Sequence, residues 1–309
     1  MKNTIKYFCL ILFAILQLFC NKDNIPTKDS IAMLGFISNK KGVVVELSYA
    51  FNAYKEEDGK NTYNVGSFEF LFGINDANVI INDKKGNKLI LKFIGNGKYF
   101  LDTTDIKPIS NEEYKIICES SHGNVESEWV IFPSDDKVDS FKYKIDSTFE
   151  QGKLYKNVDI TLSLAQSRNQ NFVLSYEAED ENKLSLYNLF RLTEYNTKLN
   201  EKKGTECGRI YFSNSILFTK DCLQNDEFYE YLRLEGSNTS ISNTKSVKRA
   251  IFSFSSVSQS YYNYIKNITA QEGIDIRFQE VPPSYTNIKN GIGIFYARNE
   301  GDKVFVVKP

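Results

Sequence analysis

One histidine, five cysteines and several short acidic runs are the main side chains of this 309-residue sequence that could do chemistry, and their spacing fits few reactions. His122 lies in Ser120-Ser121-His122-Gly123-Asn124, a run that reads as a turn between strands. A lone imidazole excludes the paired-histidine zinc motifs, which need two or three at defined spacing. A Ser-His-Asp triad could use His122, but no Gly-x-Ser-x-Gly elbow accompanies it, so it reads as an exposed turn histidine. Glu177, Glu179, Asp180 and Glu181 form the densest acidic cluster. Oxygen-rich clusters can hold calcium, but this spacing matches no calcium loop, and a solvated strand end is the expectation. Asp135, Asp136 and Asp139 read the same way. Gly291-Ile292-Gly293 lacks the third glycine and the strand-to-helix context of a phosphate loop, and reads as a tight strand entry. A glycosidase pair is defined by a separation of roughly 5 to 9 Å across a sugar, which sequence does not give. A carboxylate-dependent glycan hydrolase therefore stays open as an alternative, while no catalytic residue, metal or cofactor is assigned.

The cysteines are better explained by export. Lys2 and Lys6 precede an apolar stretch from Tyr7 to Leu16, and Gln17-Leu18-Phe19 leads into Cys20. That is a basic start followed by an apolar core of about 13 residues, shorter than the roughly 20 that a membrane-spanning helix needs. Cleavage before Cys20 would leave its thiol first in the chain, free to accept diacylglycerol. The segment resembles a lipobox, with Phe19 where Gly, Ala or Ser usually stands; an ordinary signal peptide with an incidental cysteine is the alternative. Losing Lys2 and Lys6 leaves 36 basic against 39 acidic residues, a net charge of about −3, which implies no basic face for nucleic acid. Cys9 departs with the leader, so Cys118, Cys207 and Cys222 remain. Export permits a disulfide, and Cys207 with Cys222 could close a short loop on a hairpin; three buried free thiols are equally compatible with the sequence.

The elements that must position these residues are strands. Apolar and polar residues alternate at Val43, Val45, Leu47 and Tyr49, at Ala77, Val79 and Ile81, and at Leu89, Leu91 and Phe93. Tyr114, Ile116 and Cys118, then Trp129 and Ile131, continue the pattern, with turn residues at Asp83-Lys84-Lys85-Gly86-Asn87 and Gly95-Asn96-Gly97. Short strands at this spacing predict a β-sandwich. The polar run from Pro133 to Ser140 interrupts the pattern and reads as an exposed linker. Beyond it Val158, Ile160, Leu162 and Leu164 alternate, and apolar runs follow at Phe172 to Tyr176, Ile210 to Phe212, Ile216 to Phe218 and Ile251 to Phe254. One helix is expected near 258–272, capped by Ser258, carrying Tyr261, Tyr264, Ile265 and Ile268 as a core-facing stripe and closed by Gly273. The length exceeds the ~100 to 200 residues of one domain. The expected layout is a signal peptide at 1–19, a tether at 20–30, a β-sandwich at 31–133, a linker at 134–140 and a second mainly-β domain at 141–309. There is no internal repeat and no low-complexity tract.

At the C-terminal third the pattern becomes specific. Tyr261-Tyr262-Asn263-Tyr264-Ile265, then Arg277-Phe278-Gln279-Glu280-Val281-Pro282, then Thr286-Asn287-Ile288-Lys289-Asn290-Gly291-Ile292-Gly293-Ile294-Phe295 resemble the closing signature of the domain-of-unknown-function family 4249. Asp76-Ala77-Asn78-Val79 with Gly97-Lys98-Tyr99 is similar to its N-terminal immunoglobulin-like or transthyretin-like domain, and Val138-Asp139-Ser140-Phe141 sits where that family has its linker. Cys207 with Asn214-Ser215-Ile216 resembles the middle of its second domain, although Gly208 stands where an aromatic residue often follows the cysteine. The resemblance implies a mainly-β outer-membrane lipoprotein of Bacteroidota, anchored by lipid and facing the cell exterior, which helps a TonB-dependent transporter take up a nutrient or glycan. It carries no site residues. Asn21-Lys22-Asp23-Asn24 resembles the export signals of such lipoproteins, and Ser30, Thr103 and Ser147, each after an aspartate, resemble O-glycan acceptors of exported proteins from the same bacteria. A structural or adhesive surface protein is a further alternative.

Overall fold

The computed structural model describes residues 30–50, 73–150, 153–180, 189–190, 207, 209–212, 215–234, 247–271 and 285–308. Strand follows strand along the chain: β1 (Ser30–Ser38), β2 (Gly42–Ala50), β3 (Asn78–Asp83), β4 (Lys88–Ile90), β5 (Lys92–Gly95) and β6 (Lys98–Leu101). Then come β7 (Glu113–Ser120), β8 (Gly123–Ser127), β9 (Val130–Ile131), β10 (Val138–Glu150), β11 (Lys153–Leu164), β12 (Asn171–Asp180) and β13 (Leu189–Phe190). The last group is β14 (Ile210–Phe212), β15 (Ser215–Thr219), β16 (Glu227–Leu234), β17 (Val247–Val257), the helix α1 (Gln259–Gln271), β18 (Ile288–Lys289) and β19 (Gly291–Val307). Among the described residues the fold is mainly β, with several sheets and one α-helix near the C-terminus.

Nine strands form one sheet in the order β14-β15-β12-β17-β19-β1-β2-β6-β5. A sheet of β18-β8-β7-β3-β4, with β9 beside β7, covers one half of it. A sheet of β10-β11-β16-β13 covers the other half on β12, β15 and β17. Alternation explains both cores. Val43, Val45 and Leu47 point inward against Val79, Ile81, Ile116 and Cys118, while Val158, Ile160 and Leu162 meet Phe172, Leu174, Phe218 and Phe252. On the opposite face of the large sheet, α1 buries Tyr262 and Ile265 against Val173, Leu217 and Val257. Tyr261 and Tyr264 of its expected stripe pack only partly buried against the same cluster.

β19 makes the two halves one body. Its first part pairs in parallel with β1, Gly291 opposite Ile31 through Arg298 opposite Ser38, and its last part pairs antiparallel with β17. Phe295 and Ala297 complete the first core and Val307 the second. Residues that follow the polar run in sequence therefore finish the sandwich that precedes it, and a division of the chain at 134–140 does not divide the sheet. The glycines of β19 permit this pairing. A Cβ on Gly293, at φ +113°, would lie 2.0 Å from the Met33 carbonyl oxygen, and one on Gly291 would lie 2.6 Å from that of Ile31. Asn287 locks the entry: its amide donates to the Phe295 carbonyl at 2.7 Å and its side-chain oxygen accepts the Phe295 N–H at 2.9 Å.

Several expectations change here. The run 133–140 is not an exposed linker: Phe132, Ser134, Asp136 and Val138 are buried. Asp136, only 4% exposed, accepts hydrogen bonds from the N–H of Arg168 at 2.9 Å, the Asn169 amide at 2.5 Å and the Ser256 hydroxyl at 3.2 Å. Asn299 of β19 reaches the Pro133 carbonyl at 3.0 Å, and Lys303 that of Val138 at 2.9 Å. Ser134 and Asp136 are satisfied at the junction of the cores by distant segments, while Asp135, Lys137 and Asp139 between them face water. Trp129 and Ile131 are exposed and Val130 and Phe132 are buried, the opposite face to the one expected, because a shift by one residue flips every side chain. Leu89, Leu91 and Phe93 are not one strand: the chain changes sheets at buried Leu91, whose N–H bonds the Val79 carbonyl at 2.9 Å. Ser258 stands at the start of α1, its carbonyl accepting the Tyr262 N–H at 3.3 Å, and its hydroxyl accepts from Ala297 N–H at 3.1 Å, tying the helix to β19. Gly273 lies outside the described residues.

Two substitutions test this architecture. Gly293→Ala must place a methyl group against the Met33 carbonyl at a positive φ, and is expected to cost about 3 kcal/mol of unfolding free energy from strain and overpacking. Asp136→Ala strands the donors gathered on it and is expected to cost about 2–4 kcal/mol. Both are read from urea-unfolding midpoints. In limited proteolysis of the native protein, bonds within 133–140 should survive after other sites are cut.

Candidate functional site

Strand periodicity places Val173, Ser175 and Glu177 of β12 on the helix-bearing face of the large sheet. Register aligns Ser175 with Ser215 of β15 on one side and Ser253 of β17 on the other, and Ser253 with Val304 of β19. One row further along, Glu177 stands opposite Ile251. Whereas α1 covers the level of Val173 and Leu217, these residues together with Tyr176 line an open groove of about 370 Å³.

The groove has a mixed lining. Ser175 and Ser215 share a hydrogen bond at 3.0 Å between their hydroxyl oxygens, and Glu177 is exposed. Each hydroxyl offers one donor and two acceptor lone pairs, and Glu177 offers a charged acceptor. Ile251 and Val304, the latter 59% exposed, supply apolar surface beside them. Such a set can hold a small polar molecule by hydrogen bonds on one side and apolar contact on the other. Glu177 is the carboxylate in the lining, and no imidazole adjoins it.

The residues singled out by sequence are dispersed. His122 is exposed in the turn between β7 and β8, its ring edge-on to Tyr49 with centroids 4.4 Å apart. Of the acidic cluster, Glu177 joins the groove, while the side chains of Glu179 and Asp180, and all of Glu181, lie outside the described residues. Cys20 also lies outside them, as do the side chains of Ser30 and Ser147 on β1 and β10. Thr103 sits in the turn after β6, where the neighbouring Asp102 carboxylate accepts the Thr104 N–H at 2.9 Å. That bond, with hydroxyl bonds from Thr104 and Thr103, holds the Asp102 carboxyl below its ordinary range. Among the described residues no group of three or more His, Cys, Asp or Glu side chains could hold a metal ion.

Cys207 and Cys222 form a disulfide with Cα atoms 4.9 Å apart, and Cys118 is a free, buried thiol pushed up to about 12 by desolvation. Close to that disulfide is a buried acid that sequence reading passed over. Glu230 of β16 points into the second core with its side chain fully enclosed, and accepts from the Tyr211 hydroxyl at 3.1 Å and from Arg209 at 3.5 Å. Arg209 also lies over the Phe228 ring, 5.2 Å from its centroid. Tyr176, buried near it, has its hydroxyl pushed up to about 12, first by desolvation and then by the Glu230 charge. The available signal was the position: in Phe228-Tyr229-Glu230-Tyr231-Leu232 a glutamate occupies the inward place between two apolar residues.

A model of the family described as Domain of unknown function (DUF4249) matches residues 21–304. No curated protein matches the chain.

The tyrosine shift has a definite pH signature. Because the folded hydroxyl of Tyr176 sits above the ordinary value of 10, the stability it contributes is complete below pH 10 and is lost as pH rises through about 12. Ultraviolet titration of Tyr176→Phe against the parent should show the difference in tyrosinate absorbance only near pH 12. A difference already present at pH 10 would mean that this hydroxyl is solvated.

Proposed function

Because the chain belongs to the DUF4249 family of unknown function, we propose that it is a lipid-anchored outer-membrane protein that binds a small nutrient or glycan without chemical turnover and works beside a TonB-dependent transporter. The groove on the open sheet face carries this reading: its lining offers hydrogen-bond donors, acceptors and apolar surface on rigid strands, which is what recognition of a small polar solute needs. Among the described residues Glu177 is the carboxylate that lines the groove, where it can accept hydrogen bonds from a bound solute. The leader ending at Cys20 supports the anchor. Nine residues lie between Cys20 and Ser30 at the start of β1, a tether of at most about 35 Å when fully extended. A tether that short would keep the body beside any partner in the same membrane and raise its effective concentration, so that a weak contact suffices. No helix among the described residues is long and apolar enough to cross a membrane.

Metabolic labelling with a palmitate analogue should mark the wild type and not Cys20→Ala; equal labelling of the two removes the anchor. Affinity purification from gently solubilised outer membranes should recover a TonB-dependent transporter. Ser175→Trp, which fills the groove, should leave that recovery intact while reducing growth-limiting uptake several-fold. Recovery of the protein alone under several mild detergents, with glycan hydrolysis by the purified soluble form, would overturn the reading in favour of an enzyme.

A further inference from the structure

The short strand β14 is the outermost of the described strands on its side of the large sheet, held by only three register pairs: Ile210 with Leu217, Tyr211 with Ile216 and Phe212 with Ser215. Both of its faces nevertheless complete something. Ile210 and Phe212 pack under α1 with Val173, Leu217 and Ile265, while Tyr211, with Arg209 just before the strand, reaches Glu230 inside the second core. A three-residue edge strand is the kind of element that frays first. Here Cys207, two residues before Arg209, is bonded to Cys222, buried in the 3-10 turn that follows β15.

We propose that the Cys207–Cys222 disulfide is a redox latch on β14: closing it seats Arg209 and Tyr211 on buried Glu230 and Ile210 and Phe212 beneath α1, so the second core is completed only in an oxidised chain. The covalent step balances as thiol–disulfide exchange. The two cysteine thiols give up two protons and two electrons to a partner disulfide, the new sulfur–sulfur bond forms, and the partner leaves as two thiols. Opening is the reverse, driven by a dithiol. Cys118, the remaining cysteine of the body, cannot intercept the exchange, since it is buried in the other core against Met33 and its thiol is held in the protonated form.

The energetic logic lies in Glu230. With the disulfide closed its carboxyl group is fully enclosed, and a buried charge whose cation swings away is poorly tolerated. Closing the latch supplies that cation and the Tyr211 hydroxyl together, so latch and ion pair stabilise each other reciprocally. Resting on the export reading above, a further consequence follows: the chain stays incompletely packed where thiols are kept reduced and finishes folding only after export.

Hydrogen exchange of the full mature chain, oxidised or treated with dithiothreitol, tests the latch. Amides of β14 and β15 should exchange at least tenfold faster after reduction, while those of β1, β2 and β7 do not change. The double variant Cys207→Ser with Cys222→Ser should reproduce this without reductant. In a dithiol/disulfide buffer, Glu230→Gln and Tyr211→Phe should each shift the equilibrium several-fold toward the thiols, a coupling that a merely structural disulfide would not show. Equal exchange of β14 in both redox states, or an equilibrium unmoved by both substitutions, overturns the latch. Chain isolated from its native host with both thiols free would overturn the coupling to export, independently of the anchor at Cys20.

Discussion

Two strands from opposite ends of the chain run in parallel so closely that the Met33 carbonyl oxygen occupies the place where a side chain on residue 293 would begin. The rest of the fold depends on that approach. Because β19 lies against β1 with glycine at the contact, its continuation can pair with β17, and four N-terminal strands and five later ones become one sheet. Each sandwich then uses half of that sheet as a wall. Neither core is complete without β19, since Phe295 fills the first and Val307 the second. The signature around Asn287 to Phe295 is therefore explained by packing: Asn287 satisfies both backbone groups of Phe295, and the glycines admit a neighbouring backbone.

Polar groups are buried where the two cores meet and where β14 closes the second, and in both places the pairing is nearly complete. Asp136 takes hydrogen bonds from Arg168 and Ser256, 32 and 120 residues further along the chain, and Glu230 takes them from Tyr211 and Arg209. Hydrogen bonds to charged groups contribute roughly 1.5–3 kcal/mol each, and stranding one partner removes more than replacing both. Such networks specify one arrangement of the sheets, because a slipped register would leave a carboxylate without its donors.

Much of this was legible in the sequence and some could not be. Alternation located β2, β3, β7 and β11, because a buried sheet face imposes a period of two on the residues that fill it, and continuous apolar runs located β12, β14, β15 and β17. It failed at Trp129, where both alternating sets are apolar and period alone does not choose the inward one; the neighbouring Lys84 ammonium over the indole ring compensates its exposure. The run 133–140 looked like a linker because composition reports polarity and not partners, and the partners of Asp136 lie far along the chain. The parallel pairing of β1 with β19 leaves no local trace beyond two glycines. The groove was missed for a similar reason: Ser175, Ser215 and Ser253 are ordinary in their own strands and become neighbours only through register.

A shared sheet also bears on the functional reading, because a groove built across β15, β12, β17 and β19 is held by the same strand that pairs with β1. The central claim is thus that the chain folds and unfolds as a single unit with two cores. Hydrogen exchange followed through a urea titration tests it most directly, by comparing amides of β7 in the first sandwich with those of β16 in the second. The account predicts that both sets lose protection at the same urea concentration with the same steepness. Two separated transitions, with β7 still protected after β16 has exchanged, would contradict it.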